Sequence, residues 1–400
     1  MDARGAAFSR SIQNSRLIQK FPKRASFSPF SKTSRKADMV RQFAGYFIHP
    51  MAFDQTSLGF PVEISKIQST LKNLWSAEGQ TKARASLLNL VVMCHDTGAL
   101  DSTTRLIEAF VREHACRAFL VGDCDKSGEA KISAWIQAHC HVTKAGARQI
   151  CSEQITILGE GVSEQGIANA VLANLDYDLP LTLWWQGSLP ADPESTLWNI
   201  VDRLIFDSRE WKDAAQQLHS LHAIKARNTR RLALADLNWT RLLPFRMAMA
   251  QCFDLAECLP ALAEIGSLRV VHDPQSASTA RMLACWMAVQ LGWMPSKWTD
   301  SRVLFHRANG ETEAVFESAS TDAASGIGEV LIHAAGLTIT IKPSPGAKLL
   351  TGTVCGRDFS REMNFSAAPG HLLELLSCEM NPNARHKVYQ RALALYQAML

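Results

Sequence analysis

The sequence predicts a mixed-sheet, layered α/β domain followed by a smaller α+β domain, both behind a basic and disordered leader. Three observations carry this reading. From Met51 to about residue 210, short apolar runs of strand length alternate with segments whose apolar residues recur every three to four positions, as in a sheet covered by helices. After Asp273-Pro274 the pattern restarts with one helix and then a series of short strands. Residues 1–50 hold ten Lys/Arg against two acids, are rich in Ser and Arg, and are broken by Pro22 and Pro29, so they cannot bury enough apolar surface to offset the entropy of ordering. The expected divisions are a leader over 1–50, an α/β domain over 51–210, a helical connecting segment over 211–265 and an α+β domain over 266–400.

Met51 opens an amphipathic stretch in which Ile64, Ile67, Leu71, Leu74 and Trp75 recur at helical spacing, which favours a dispensable extension over a targeting signal for what precedes it. Strand Leu87–Met93, helix Thr103–His114 and strand Arg117–Val121 follow, with Gly122-Asp123 as the turn. Strands Ile132–His141 and Ile150–Leu158 flank Lys144-Ala145-Gly146 and read as a hairpin. Next come a helix from Glu164 to Leu175, a buried strand Leu181–Trp185, a helix around Glu194–Ile200 and a strand Leu204–Phe206. Residues 211–262 read as mostly helical, with Pro244 near a helix start where its missing N–H is tolerated. The last domain opens with helix Ala280–Leu291. Strands near Val303–His306, Ala314–Glu317, Val330–His333, Leu337–Ile341 and Gly352–Arg357 follow, and helices Leu372–Cys378 and Ala384–Met399 close it.

With 47% hydrophobic and 20% charged residues, 400 residues can bury a core. The formal charge of +4 is concentrated in the leader, which leaves the remaining 350 residues with 32 basic and 36 acidic side chains. A mildly acidic body lacks the field that gathers phosphate backbones, so nucleic acid is not an expected partner. No apolar run approaches the ~20 residues of a spanning helix, so no membrane association is expected. Ten cysteines, scattered from Cys94 to Cys378 without a CxxC pair or a secretory signal ahead of them, point to a reducing cytoplasm and mostly free thiols.

Chemistry-bearing motifs are few. His139-Cys140-His141 could present two imidazoles on one strand face, and Cys151 and Glu153, at the same spacing on the neighbouring strand, would complete a four-ligand metal set. Such a pair is more often structural, and no metal is expected. Glu153-Gln154, Asp202-Arg203, Asp207-Ser208 and Arg246 sit at strand edges, where they could bind a sugar phosphate or close the domain layers as ion pairs; the second role is the better expectation. Trp184-Trp185 places indoles on opposite strand faces, both core by default, with one as a candidate contact. The sequence holds no GxSxG, Walker loop, HExxH or strand-following GxGxxG, and Gly326-Ile327-Gly328 lacks the third glycine. No catalytic residue and no cofactor are expected.

Several segments, taken in order, resemble one family. They are His114-Ala115-Cys116-Arg117, Ala134-Trp135, Ala138-His139-Cys140-His141 and Gln149-Ile150-Cys151-Ser152-Glu153-Gln154-Ile155. Asp178-Leu179-Pro180, Trp184-Trp185-Gln186-Gly187 and Asp202-Arg203-Leu204-Ile205-Phe206-Asp207-Ser208 continue the series. It ends with Leu234-Ala235-Asp236-Leu237-Asn238-Trp239 and with Arg241, Pro244 and Arg246. Each piece is weak alone, but their order over about 114–246 resembles the glucose-6-phosphate dehydrogenase assembly protein (OpcA) family. The resemblance implies a non-catalytic factor that binds glucose-6-phosphate dehydrogenase and favours its active oligomer. In some relatives this control is redox-linked through cysteines. The family-motif positions Arg117, His139, His141, Glu153, Gln154, Trp184, Trp185, Asp202, Arg203, Asp236, Asn238, Trp239, Arg241 and Arg246 become candidate partner or ligand contacts. The competing expectation is a sugar-phosphate sensor or metal-dependent enzyme using the His139/His141 hairpin with Arg203 and Arg246.

Overall fold

The computed structural model describes residues 58–400 apart from 77–81, 125–128, 143–148, 345, 347–348, 368–370 and 381–386. The leader expected over 1–50 lies outside the described residues. The first part of the chain contains β1 (Phe60–Val62), α1 (Ile67–Ser76), β2 (Lys82–Arg84), β3 (Asn89–Cys94), α2 (Leu100–Phe110), β4 (Arg117–Cys124), β5 (Lys131–Val142) and β6 (Gln149–Glu160). It continues with α3 (Glu164–Leu172), β7 (Leu181–Trp185), β8 (Arg203–Phe206), α4 (Ala214–Arg227), β9 (Ala233–Asp236), α5 (Leu237–Arg241) and α6 (Leu243–Phe253).

These strands form one nine-stranded sheet in the order β1-β5-β6-β4-β3-β7-β8-β9, with β2 paired to β6 off that path. The six strands from β6 to β9 run parallel, and β5 and β1 extend the sheet antiparallel at one edge. Starting at β3, the chain winds outward through β4 and β6, returns to β7 beside β3, and winds out the other way. This is the doubly wound order, whose switch point lies at β3. A parallel sheet needs both faces covered. One face packs α2 through Leu100, Ile107 and Phe110; the other packs Ile67 and Leu71 of α1, Ile167 and Val171 of α3, and Leu218, Leu221 and Ile224 of α4.

The second sheet is built from β10 (Ile265–His272), β11 (Met294–Trp298), β12 (Arg302–Arg307), β13 (Gly310–Ser318), β14 (Ile327–Ala334), β15 (Leu337–Pro343), β16 (Leu349–Cys355) and β17 (Ser360–Ser366), with α7 (Ala277–Leu291) after β10. Its order is β11-β12-β13-β10-β14-β15-β16-β17, antiparallel except where β10 meets β13. Strict alternation makes one face apolar, as in Leu268, Val270, Val330, Ile332, Ile339, Ile341 and Val354. That inner face is covered by α6 and α7, and its core is continuous with that of the first sheet. Gly292 ends α7 in the left-handed conformation, at φ 72°, which costs glycine no Cβ clash.

The final helices α8 (Leu372–Glu379) and α9 (Lys387–Gln397) turn back from the second sheet. Leu375 and Leu376 of α8 join α2 over the first sheet, and α9 packs along α7. Several strands depart from the sequence expectation: β1, β2, β11 and β17 have no counterpart in it, and two others matter more to the site. β9 lies inside the segment read as helical, and β10, the centre of the second sheet, lies ahead of the Asp273-Pro274 restart. The helix read around Glu194–Ile200 is a single 3-10 turn, Thr196–Asn199.

Candidate functional site

The densest polar cluster lies where β8 and β9 end beneath α5, α7, α8 and α9. Asp236, the last residue of β9, caps α5 by accepting from Asn238 N at 3.0 Å. The same oxygen accepts from Ser208 N at 3.0 Å, and the other accepts from Ser208 Oγ at 2.7 Å and from the Tyr389 hydroxyl at 3.0 Å. Asn238 donates to Ser208 Oγ and accepts from Thr279 Oγ1 at 2.7 Å, which ties α7 to the network. Burial, and then the nearby Asp207 carboxylate, push the Asp236 carboxyl up to about 6, against the pull of these donors. Burial and Asp236 together raise the Tyr389 hydroxyl well above its ordinary value.

Around this centre stand three arginines. Arg241 makes a bidentate pair with Asp207, at 2.7 and 2.5 Å, with both residues buried. Arg246 lies with its guanidinium carbon 3.7 Å from the centroid of the Trp239 ring and donates to Trp239 O at 3.0 Å. Its Nε has no hydrogen-bond partner among the described residues, and burial lowers its pKa to about 9 against the opposing Glu379. Arg203 approaches Glu379 at 4.0 Å, and burial lowers its pKa too. Glu379 in turn accepts a short hydrogen bond from Thr240. The cluster therefore fastens α8 and α9, the end of the chain, onto the first sheet.

Of the residues singled out by sequence, Asp236, Asn238, Trp239, Arg241, Arg246 and Arg203 meet here, and all are buried. The others lie elsewhere. Arg117 pairs with Glu153 across β4 and β6 at 2.8 Å and donates to Asn174 O, also buried. Asp202 sits at the opposite end of β8, accepting from Leu181 N and from the partly exposed Arg230. The set of Glu153, Gln154, Asp202, Arg203, Asp207 and Arg246 is thus not one constellation. Trp184 and Trp185 fill opposite faces of the first sheet, and Trp185 Nε1 donates to Ser188 O at 2.8 Å. Neither indole is an exposed contact. Thr240, Thr279, Glu379 and Tyr389 were missed. Their sequence signal is position: Glu379 completes the apolar stripe Leu372, Leu375, Leu376, and Tyr389 begins the stripe Ala392, Leu393, Tyr396.

The hairpin β5–β6 corrects two expectations. Residue 140 faces 151, so an odd position on β5 faces an even position on β6. His139 and His141 therefore share a side with Ser152 and Gln154, while Cys151 and Glu153 point through the opposite face, and the four-ligand set does not assemble. His139 Nε2 instead meets Gln154 Oε1 at 2.9 Å, and burial lowers its pKa although that bond opposes the shift. No group of three or more metal-ligating side chains stands together among the described residues. The second correction is that Cys140 and Cys151, directly opposed with Cα atoms 4.1 Å apart, form a disulfide. Cys140 is exposed and Cys151 buried. The free-thiol reading holds for the seven other cysteines whose side chains are described, of which burial pushes Cys116 and Cys252 up to about 12.

At the switch point the loop after β3 reads Cys94-His95-Asp96-Thr97-Gly98. The Asp96 carboxylate accepts from Gly98 N at 2.9 Å and so occupies, with its own negative charge, the backbone donor at the start of the turn that leads into α2. Among the described residues no helix is long and apolar enough to cross a membrane.

Comparison with known proteins agrees with this geometry in extent. Residues 107–223 match the family model described as the glucose-6-phosphate dehydrogenase subunit N-terminal domain, and residues 232–393 match that of the C-terminal domain. The OxPP cycle protein OpcA of Synechococcus elongatus is 29% identical over 247 residues, 60% of this chain and 52% of that protein. The protein of the same name from Nostoc punctiforme is 26% identical over 207 residues, 50% of this chain and 43% of that one. The chain thus spans about half the length of the curated relatives it matches. Among solved structures, the 3-ketoreductase KijD10 of Actinomadura kijaniata aligns with 78% of this chain and 97% of its own at 11% identity and a TM-score of 0.44, a likeness too slight to bear on function. With the two models together matching more than half of the chain, and the second opening just before β9 and the buried cluster that joins the two sheets, the chain belongs to the glucose-6-phosphate dehydrogenase subunit (OpcA) family.

Proposed function

We propose that this chain is a non-catalytic partner of glucose-6-phosphate dehydrogenase in the oxidative pentose phosphate pathway, and that it favours the enzyme's active oligomer. The observation that carries this reading is the match of both family models in one order across 107–393. The chemistry of the fold supports it. Two of the family-motif arginines, Arg117 and Arg241, are paired with buried carboxylates inside the protein, Arg246 is turned onto Trp239, and Asp96 sits at the switch point where a doubly wound sheet would receive an anionic ligand. The competing metal reading is weakened by the register of the hairpin, in which His139 and His141 face away from Cys151 and Glu153.

A partner acts on an assembly equilibrium only through differential affinity. Binding the assembled enzyme alone stabilises it by about 2.7 kcal/mol at a hundred times Kd, enough to shift a marginal oligomer. Adding the chain to dilute cognate dehydrogenase should raise its rate or lower its apparent KM, saturably, with a smaller effect on concentrated enzyme. The chain alone should turn over nothing. If it neither co-migrates with the dehydrogenase nor changes its kinetics under reducing or oxidising conditions, the proposal fails.

A further inference from the structure

The second sheet has an outer face that no described helix covers. The inner face is packed by α6 and α7, and the same alternation that aims Leu268, Val270 and Ile332 inward aims their neighbours outward. Strand pairing places the outer residues in rows. One row runs across seven strands: Arg302, Val315, Arg269, Leu331, Thr340, Thr353 and Glu362. Leu331, Val315 and, in the adjoining rows, Leu304 and Val271 are half-buried aliphatics exposed on this side of the sheet.

Three features suit this face to one occupant. Seven strands and three rows cover roughly 34 Å by 17 Å, or ~600 Å² before side-chain relief, against the ~600–1,000 Å² per partner of a stable interface. Arg269, one strand from its middle, is already ion-paired to Glu317 at 2.5 Å and Glu329 at 3.2 Å, so covering it leaves no cation without a partner. The row is also self-complementary. Leu331 stands at its middle, with Arg302 three strands away on one side and Glu362 three strands away on the other. A two-fold axis lying in the interface along β14 sets Leu331 against its own copy and each Arg302 against the Glu362 of the second copy.

We propose that two copies of this chain associate through the outer face of the β10–β17 sheet, with Leu331 on the symmetry axis and Arg302 paired to Glu362 across it. This goes beyond the dehydrogenase reading and does not depend on it. Sedimentation velocity of the full chain from micromolar to hundred-micromolar concentration should show a reversible dimer. Leu331→Arg should remain monomeric over that range with near-UV circular dichroism unchanged. Arg302→Glu and Glu362→Arg should each weaken association by about tenfold, and the double reversal should restore it, because like charges opposed in an interface repel. The charge pair decides the matter if Leu331→Arg does not fold. A wild-type chain that stays monomeric overturns the proposal. So does a dimer indifferent to the folded variants. A monomer whose binding to dehydrogenase is lost in Leu331→Arg would assign the face to the enzyme instead and equally overturn self-association.

Discussion

At the scale of single residues, the buried cluster makes Asp236 the most informative position. Its carboxyl is raised from the ordinary 3.8 to about 6. The folded state therefore holds the proton more tightly than the unfolded chain, so this group favours folding below the ordinary value and loses that contribution as pH climbs to about 6. The swing is about 3 kcal/mol at ~1.4 kcal/mol per unit. Asp236→Asn keeps the oxygen that accepts from the two backbone amides and offers an amide to the Ser208 and Tyr389 hydroxyls, which can turn to accept it. Denaturant unfolding between about pH 4 and 6.5 should show wild type losing stability relative to this variant as pH rises. Parallel profiles would rule the coupling out. Arg246→Ala strips the cation from Trp239 and leaves Glu379 less compensated, and should cost about 3–5 kcal/mol. Trp185→Ala should cost a similar ~3–5 kcal/mol. Because both side chains are buried, the fraction that remains folded should still act on the dehydrogenase. Sequence singled out Arg246 by its polarity and Asp236 by the family resemblance, expected ion pairs between layers as the better role for the strand-end charges, and left partner or ligand contact as the candidate role of the family-motif positions. Polarity identifies a group that needs partners; only the packing of α7, α8 and α9 over β8 and β9 shows that the protein itself supplies them.

At the scale of elements, the strands and helices of the first domain were legible wherever period and punctuation agreed, as at Leu181–Trp185, which is β7 without adjustment. β9 was not legible. Ala233-Leu234-Ala235-Asp236 is four residues of mostly helix-forming type between two helices, and it is a strand because it completes the edge beside β8. β10 was hidden by Gly266 and Ser267, where its pattern is interrupted, and by the Pro274 punctuation behind it, although buried and half-buried residues alternate from Leu268 to His272 in the structure. For β5 and β6 the hairpin was legible and its register was not. A one-residue difference in register exchanges the faces, and that alone separates a metal site from a disulfide. The Cys140–Cys151 bridge closes a separation of eleven residues and should contribute about 2–3 kcal/mol by constraining the unfolded chain. Thermal unfolding with and without reductant checks this: wild type should melt lower when reduced, to match Cys140→Ser, whose own midpoint should not respond.

At the scale of the whole molecule, both sheets and their helix layers followed from the alternation of sequence patterns, whereas the return of α8 and α9 did not. No local signal says which sheet a terminal amphipathic helix covers. Leu375 and Leu376 lie in the core beneath α2, and Tyr389, Ala392, Leu393 and Tyr396 lie in the core shared with the second sheet. At about 1.5–3 kcal/mol for each large apolar side chain, losing them should exceed the stability of an ordinary domain. Truncation after Ser366 should therefore yield a chain that binds hydrophobic dyes and aggregates, although it retains every strand. A soluble, cooperatively melting truncate would show that the helices merely decorate the sheets.

The hydrogen bond between Thr240 and Glu379 joins residues 139 positions apart, and it also sets a schedule for the newborn chain. By the time β9 and α5 have left the ribosome every strand of the first sheet exists, yet the surface that awaits Leu375 and Leu376 is still bare and Arg203 and Arg246 still lack their carboxylate. At ~5–20 residues per second, α8 follows roughly 7–30 s later. Through that interval the half-made protein offers an apolar, cationic patch to its surroundings, which is the kind of surface a holding chaperone grips. The last helices to be made are the ones that end its claim.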